Sequence, residues 1–173
     1  MQQCAHNNGC RFSAECVAPV TMSDGMLHYR NTDIPMGEFW FRSPTHDKPN
    51  DILDAVSGAH LYGKRIVAAE AFTEVDITWD EHPGMLKPLQ DFEYANGINR
   101  LVFHVNVHNP WMNRTPGMTI DQYGLYFQRD QTWWRTGKAW MDYTVRCQAL
   151  LQQGLPVVDL AGFTGDDFPR RAL

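Results

Sequence analysis

The sequence predicts an α/β fold in which about four βα units share one parallel sheet, the arrangement of part of a (β/α)8 TIM-type barrel. Three observations predict it. Short apolar strands alternate with single amphipathic helices along the 173 residues, the pattern of βαβ units. Glu15, Glu38, Glu70 and His104 each stand in or at the end of such a strand, separated by 23, 32 and 34 residues. A barrel of ~250 residues in eight units averages about 31 residues per unit, so this length fits roughly half of one. Half a closed barrel leaves two raw sheet edges, which natural proteins avoid. The expectation is therefore a fragment of a longer protein, or a gene truncated at both ends. A compact four-stranded α/β domain is the alternative.

The elements justify this in order. Arg11 to Val17 reads as a short strand, and Ile34 to Phe41 as the next, after a polar turn around Ser23, Asp24 and Gly25. A helix follows from Pro49 to Tyr62: Ile52, Ala55, Val56 and Ala59 recur at helical spacing, Pro49 suits the first turn and Gly63 the stop. Lys64 to Thr73 is a run of small apolar residues, as expected of a strand covered on both faces. The next helix is expected from Pro88 to Asn96, because Pro88 opposes a regular helix reaching back to Pro83. Ile98 to Val107 is the clearest strand. In it Phe103, Val105 and Val107 alternate with His104, Asn106 and His108. A helix from Lys138 to Gln153 carries Trp140, Thr144, Cys147 and Leu151 on one face, and Pro156 to Phe163 reads as a last strand.

Composition narrows the function classes. Net charge is -5 with the basic residues scattered, so a nucleic-acid partner is not expected. No apolar run approaches the ~18 residues of a membrane span. Met1-Gln2-Gln3-Cys4 shows neither a basic nor an apolar leader segment, which leaves localisation open. Cys4, Cys10, Cys16 and Cys147 form no C-x-x-C pair and are read as reduced or buried.

In a barrel, reactive groups project from the C-terminal ends of strands. Glu15, Glu38 and Glu70 fall near three such ends. A carboxylate within an apolar strand is costly unless it is paired or used. Any one of them alone reads equally as a structural ion pair; three at successive strand ends favour a site. Paired carboxylates suit glycoside hydrolysis, where one protonates the leaving oxygen and the other activates water or attacks the sugar. His104, Asn106 and His108, on one face of the fourth strand, are candidate sugar-binding residues against the plainer reading of satisfied polar side chains. His104 and His108 lie about 13 Å apart on a regular strand, too far for one metal ion. The segment from Asn109 to Gly137 is long and rich in aromatic rings, most of them expected to pack the loop down. Trp111 is the first choice there for stacking on a sugar. Glu81, in the loop after the Glu70 strand, is a weaker candidate.

At these residues the chain resembles a known family. The stretches Phe12–Pro19 (FSAECVAP), Pro35–Trp40 (PMGEFW), Ser43–Asn50 (SPTHDKPN), Ala68–Thr73 (AAEAFT), Gly97–Trp111 (GINRLVFHVNVHNPW) and Gly124–Trp133 (GLYFQRDQTW) are similar to glycoside hydrolase family 106. Its characterised members are mainly α-L-rhamnosidases. The resemblance implies a catalytic (β/α)8 barrel inside a much larger secreted or periplasmic enzyme, an inverting mechanism with glutamates as acid and base, and a calcium ion near the active site. It ranks Glu70 first as catalytic carboxylate, Glu38 second and also a candidate calcium ligand, and Glu15 third. Residues 1–154 then correspond to the C-terminal half of the barrel, and 155–173 to the start of a following domain or a linker. The implied partner is a rhamnose-containing oligosaccharide or glycoside. A non-catalytic carbohydrate-binding fragment and an inactive truncated gene product are the competing readings.

Overall fold

The computed structural model describes residues 1–16, 24–43 and 49–163. In chain order they form α1 (Gln2–Asn7), β1 (Ser13–Glu15), α2 (Gly25–Arg30), β2 (Ile34–Trp40), α3 (Pro49–Leu61), β3 (Ala68–Thr73), α4 (Pro83–Ala95), β4 (Arg100–Phe103) and α5 (Lys138–Leu151). The end of the first expected strand, most of the SPTHDKPN stretch and residues 164–173 lie outside the described residues.

The four strands form one parallel sheet in the order β1-β2-β3-β4. This is the α/β architecture expected from the alternating pattern. The side chains explain why the helices gather on one face. Phe39, Ala69, Ala71 and Leu101 point to one side and share a core with Ile52, Ala55, Val56 and Ala59 of α3, Leu86 and Tyr94 of α4, and Trp140 of α5. Small residues permit close layers: a Cβ on Gly37 would come within 2.6 Å of the Asp51 carbonyl oxygen, so α3 rests directly on β2. Gln90 of α4 joins α5 through two buried bonds, accepting from the Trp140 indole at 2.6 Å and donating to Thr144 at 2.9 Å.

Several expectations need correction. α4 starts at Pro83 and carries Pro88 inside it. Pro88 removes only the bond to the Gly84 carbonyl. His82 caps the start by accepting from the Gly84 N–H, and the buried face of Leu86, Gln90, Glu93 and Tyr94 holds the helix down. The turn around Asp24 is the start of α2, since Asp24 accepts from Met26 and Leu27 as an N-cap. β3 begins at Ala68, not Lys64: the Lys64 ammonium turns back onto the carbonyls of Tyr29 and Thr32. β4 ends at Phe103. The His104 N–H makes a last bond to β3 at the Ala71 carbonyl, and Val105 then pairs with Leu125 and Phe127 instead. The alternation read through Val107 is therefore not a strand. Pro156 to Phe163 is not a strand either; it pairs with no strand among the described residues, and Leu160 is 91% exposed. All four cysteines are free, Cys4 and Cys10 exposed and Cys16 buried. No helix among the described residues is long and apolar enough to cross a membrane.

One irregularity shapes the top of the sheet. Phe39 pairs with Ala71 but Trp40 pairs with Thr73, so Phe72 is an extra residue in β3. It has φ 65°, rare for a bulky side chain and costing about 1–3 kcal/mol. Its ring is fully buried and lies 5.0–6.2 Å from Phe39, Phe103, Phe127 and Trp140. Phe72→Ala removes that ring while keeping the strained backbone, and is expected to cost about 3–5 kcal/mol. At ~2–4 °C per kcal/mol for a chain of this size, the thermal midpoint should fall by about 6–20 °C in a calorimetric or circular-dichroism melt.

Candidate active site

Alternation along each strand decides which residues stand on the face opposite the helices. Gly37 and Phe39 face the helices, so Met36, Glu38 and Trp40 face the other way. Glu38 is the register partner of Glu70, and Glu15 is the partner of Met36. Glu15, Glu38 and Glu70 thus share the helix-free face of three neighbouring strands. Glu38 is only 8% exposed, while Glu15 and Glu70 are half-buried.

Gathering acids on one face raises proton affinity. The Glu15 carboxyl is pushed up to about 7, first by burial and then by the negative charges of Glu70, Glu38 and Asp51. This carboxyl is therefore about half protonated at pH 7. Glu70 has a different environment. The bulge at Phe72 returns Thr73 to the Glu70 face, and the Thr73 hydroxyl donates to the Glu70 carboxylate. His104 stands beside the same carboxylate, its Nδ1 3.8 Å from Glu70 Oε1, buried and without a hydrogen-bond partner. A side chain that was read from a strand pattern is thus brought to Glu70 by the end of that strand.

The other expected site residues do not join this group. Glu81 is fully buried under the loop that follows β3, where it accepts from the Thr78 N–H and hydroxyl at 2.9 and 2.8 Å and from Arg42 at 3.2 Å. Arg42 also holds Asp80 at 2.7 Å and lies 3.7 Å from Glu74, so one guanidinium serves three acids. Glu74, unremarked in the sequence, is pushed up to about 7 by its burial and by the neighbouring Glu81. Its position one residue past β3 was the only available signal.

Asn106 and His108 lie beyond β4 in the long loop, not on one strand face with His104. The Asn106 amide donates to the Phe127 carbonyl at 2.9 Å, and His108 forms a bridge with Met118. Both line a cavity of about 350 Å³ together with Trp134 and Arg129. Trp111 does not line it; it is 54% exposed, with the Arg114 guanidinium 5.1 Å from its ring centre. Phe127 and Trp133 pack the loop down, as the plainer reading held, and the Trp133 indole donates to the Glu81 carbonyl at 2.6 Å.

Comparisons with known proteins give the family. The family model described as alpha-L-rhamnosidase, glycoside hydrolase family 106, matches residues 1–173. The chain belongs to that family. A solved structure of a rhamnosidase from Novosphingobium sp. PP1Y superimposes with a TM-score of 0.79 at 33% identity, over 88% of this chain and 15% of that one. A protein of Formosa agariphila that carries the provisional name beta-glucuronidase is 44% identical over 169 residues, 96% of this chain and 14% of its own length. The chain therefore spans about one-seventh of the length of these relatives.

Calcium takes six to eight oxygen ligands. Among the described residues no group of three or more His, Cys, Asp or Glu side chains is arranged to hold a metal ion. Glu38 alone supplies two oxygens, so the described residues do not by themselves fit the ion.

The acids make a sign-definite prediction. Glu15 and Glu74 bind a proton more tightly in the folded chain, at about 7, than at their ordinary value of 4.5. The folded state then carries more protons than the unfolded state between those values, so stability falls as pH rises through that window. Chemical denaturation between pH 4 and 8 should show this fall, and the Glu15→Gln, Glu74→Gln double variant should flatten it. Carboxyl-carbon NMR should place the Glu15 midpoint near 7.

Proposed function

We propose that the chain is part of the catalytic domain of a glycoside hydrolase acting on terminal α-L-rhamnosyl linkages. The observation that carries this reading is the set of three glutamates on the helix-free face, one of which holds its proton near neutral pH. The sequential strand order with all core helices on one side supports reading residues 1–154 as the C-terminal half of a (β/α)8 barrel. Residues 155–173 then lead into a linker or a following domain. In a closed barrel the helix-free face becomes the lumen, and the upper strand ends become the floor of the substrate site.

Glycoside cleavage requires one carboxyl that donates a proton and one that accepts one. Glu15, protonated near neutral pH, serves as general acid and passes its proton to the leaving glycosidic oxygen. Glu70 serves as general base and takes a proton from the attacking water, oriented by the Thr73 hydroxyl and flanked by His104. Glu38, between them on the middle strand, keeps the Glu15 proton in place by its charge and lies within reach of substrate. No step is assigned to calcium. The substrate is a rhamnose-containing oligosaccharide or glycoside.

A second reading, cleavage of a glucuronide, has the name of the Formosa agariphila relative in its favour. Both are tested on the full-length parent protein with an aryl α-L-rhamnoside and an aryl β-D-glucuronide. Turnover of the rhamnoside alone is expected. Loss of a general acid or base typically costs about 10²–10⁴ in rate, so Glu70→Gln and Glu15→Gln should each lower kcat by that range. Glu15→Gln should also remove the alkaline limb of the pH–rate profile. Rates within threefold of the parent for both variants would overturn the assignment, leaving the non-catalytic readings.

A further inference from the structure

The loop after β4 lines a second cavity, apart from the three glutamates. His104 touches the Glu70 region, and four residues later His108 enters a separate cavity of about 350 Å³. That volume lies at the lower end of the range for small-molecule sites, about 300–1,000 Å³. Asn106, Asn109, Gln128, Arg129 and Trp134 line it with His108. The ring of Trp134 is partly open to solvent and supplies an apolar face.

Arg129 decides the chemistry. One of its amino groups, Nη2, is held by three acceptors: the Asn109 carbonyl at 2.8 Å, the Asn109 side-chain oxygen at 3.1 Å and the Trp111 carbonyl at 3.0 Å. Its Nη1 and Nε donate to nothing among the described residues, and no carboxylate there pairs with it. The adjacent acid, Asp130, is engaged elsewhere, accepting from Asn109 at 2.9 Å and Gln128 at 3.0 Å. The result is a positively charged guanidinium fixed in orientation, with no carboxylate paired to it among the described residues, at the wall of a cavity lined by amides and an indole. With Nη2 occupied, Nη1 is left to give a carboxylate one charge-assisted hydrogen bond.

We infer that this cavity is a subsite for a sugar residue bearing a carboxylate, held by Arg129 through the acid and by Trp134 through the ring. It deepens the glycosidase reading and rests on it: the acidic residue would lie further along the saccharide whose bond is cleaved at the glutamates. Asn106 and His108 are then contacts to hydroxyls of this neighbouring sugar.

The test uses the full-length parent protein and reads binding, not turnover. Methyl β-D-glucuronide and methyl β-D-glucoside differ at the acid alone, and each is titrated by calorimetry and by the Trp134 indole N–H signal. One charge-assisted hydrogen bond should give the acid about a tenfold advantage at low salt, shrinking as salt rises. Arg129→Gln should abolish the advantage, Arg129→Lys should keep part of it, and Trp134→Ala should weaken both sugars. Equal binding of the two sugars by the wild-type protein would overturn the inference, as would no binding or a preference that survives Arg129→Gln. Because Glu70→Gln and Glu15→Gln are read as hydrolysis by the parent, failure of the subsite and failure of the catalytic assignment give different results.

Discussion

The top of the sheet depends on the burial of one ring. Phe72 sits in a backbone conformation that a bulky residue avoids, and the strain persists because its ring is packed among four others. Those rings come from β2, from the end of β4, from the long loop and from α5. The same contact thus closes the sheet, seats the loop and docks the last helix. It also has a consequence on the opposite face. The extra residue shifts the parity of β3, so Thr73 rejoins Glu70 instead of facing the helices. Bulges beside active sites commonly re-aim a side chain in this way.

Below that level, charge organises the molecule. The helix-free face carries acids in register with no cation bonded to them among the described contacts of Glu15 and Glu70, and it responds by retaining a proton. The neighbouring cluster around Arg42 resolves the same problem differently. There three acids share one guanidinium, and Glu74 is the one that retains a proton. The first group is open on one side and chemically available. In the second, Glu74 and Glu81 are buried, Glu81 under Thr78 and the Trp133 indole, while Asp80 stays exposed.

Much of this was legible in the sequence. Period and spacing give the order of β1 to β4 with α3, α4 and α5, the parallel sheet and the shared face of Glu15, Glu38 and Glu70, because each rests on local alternation; α1 and α2 were not read. α3 was readable from Ile52, Ala55, Val56 and Ala59 for the same reason. What was not legible depends on contacts between distant residues. Nothing in AAEAFT marks Phe72 as an inserted residue; its position is set by rings from elsewhere in the chain. The His104 to His108 alternation looks like a strand, yet Leu125 and Phe127 capture the backbone at Val105 once β3 has ended. Trp111 and Trp134 have the same composition signal, and only the fold separates the exposed ring from the one at a cavity. Glu81 looked like a loop acid and proves to be the buried anchor of Arg42.

The half-buried state of Glu15 makes its proton a messenger of occupancy. Burial is the foremost reason this carboxyl holds a proton near pH 7. Anything that settles on the helix-free face and displaces water pushes the balance further toward the protonated form. A neutral sugar seated there would draw a proton from solution as it binds, and by linkage its affinity would rise as the medium becomes more acidic. The carboxyl's hold on its proton would then be strengthened by the arrival of whatever displaces the water around it.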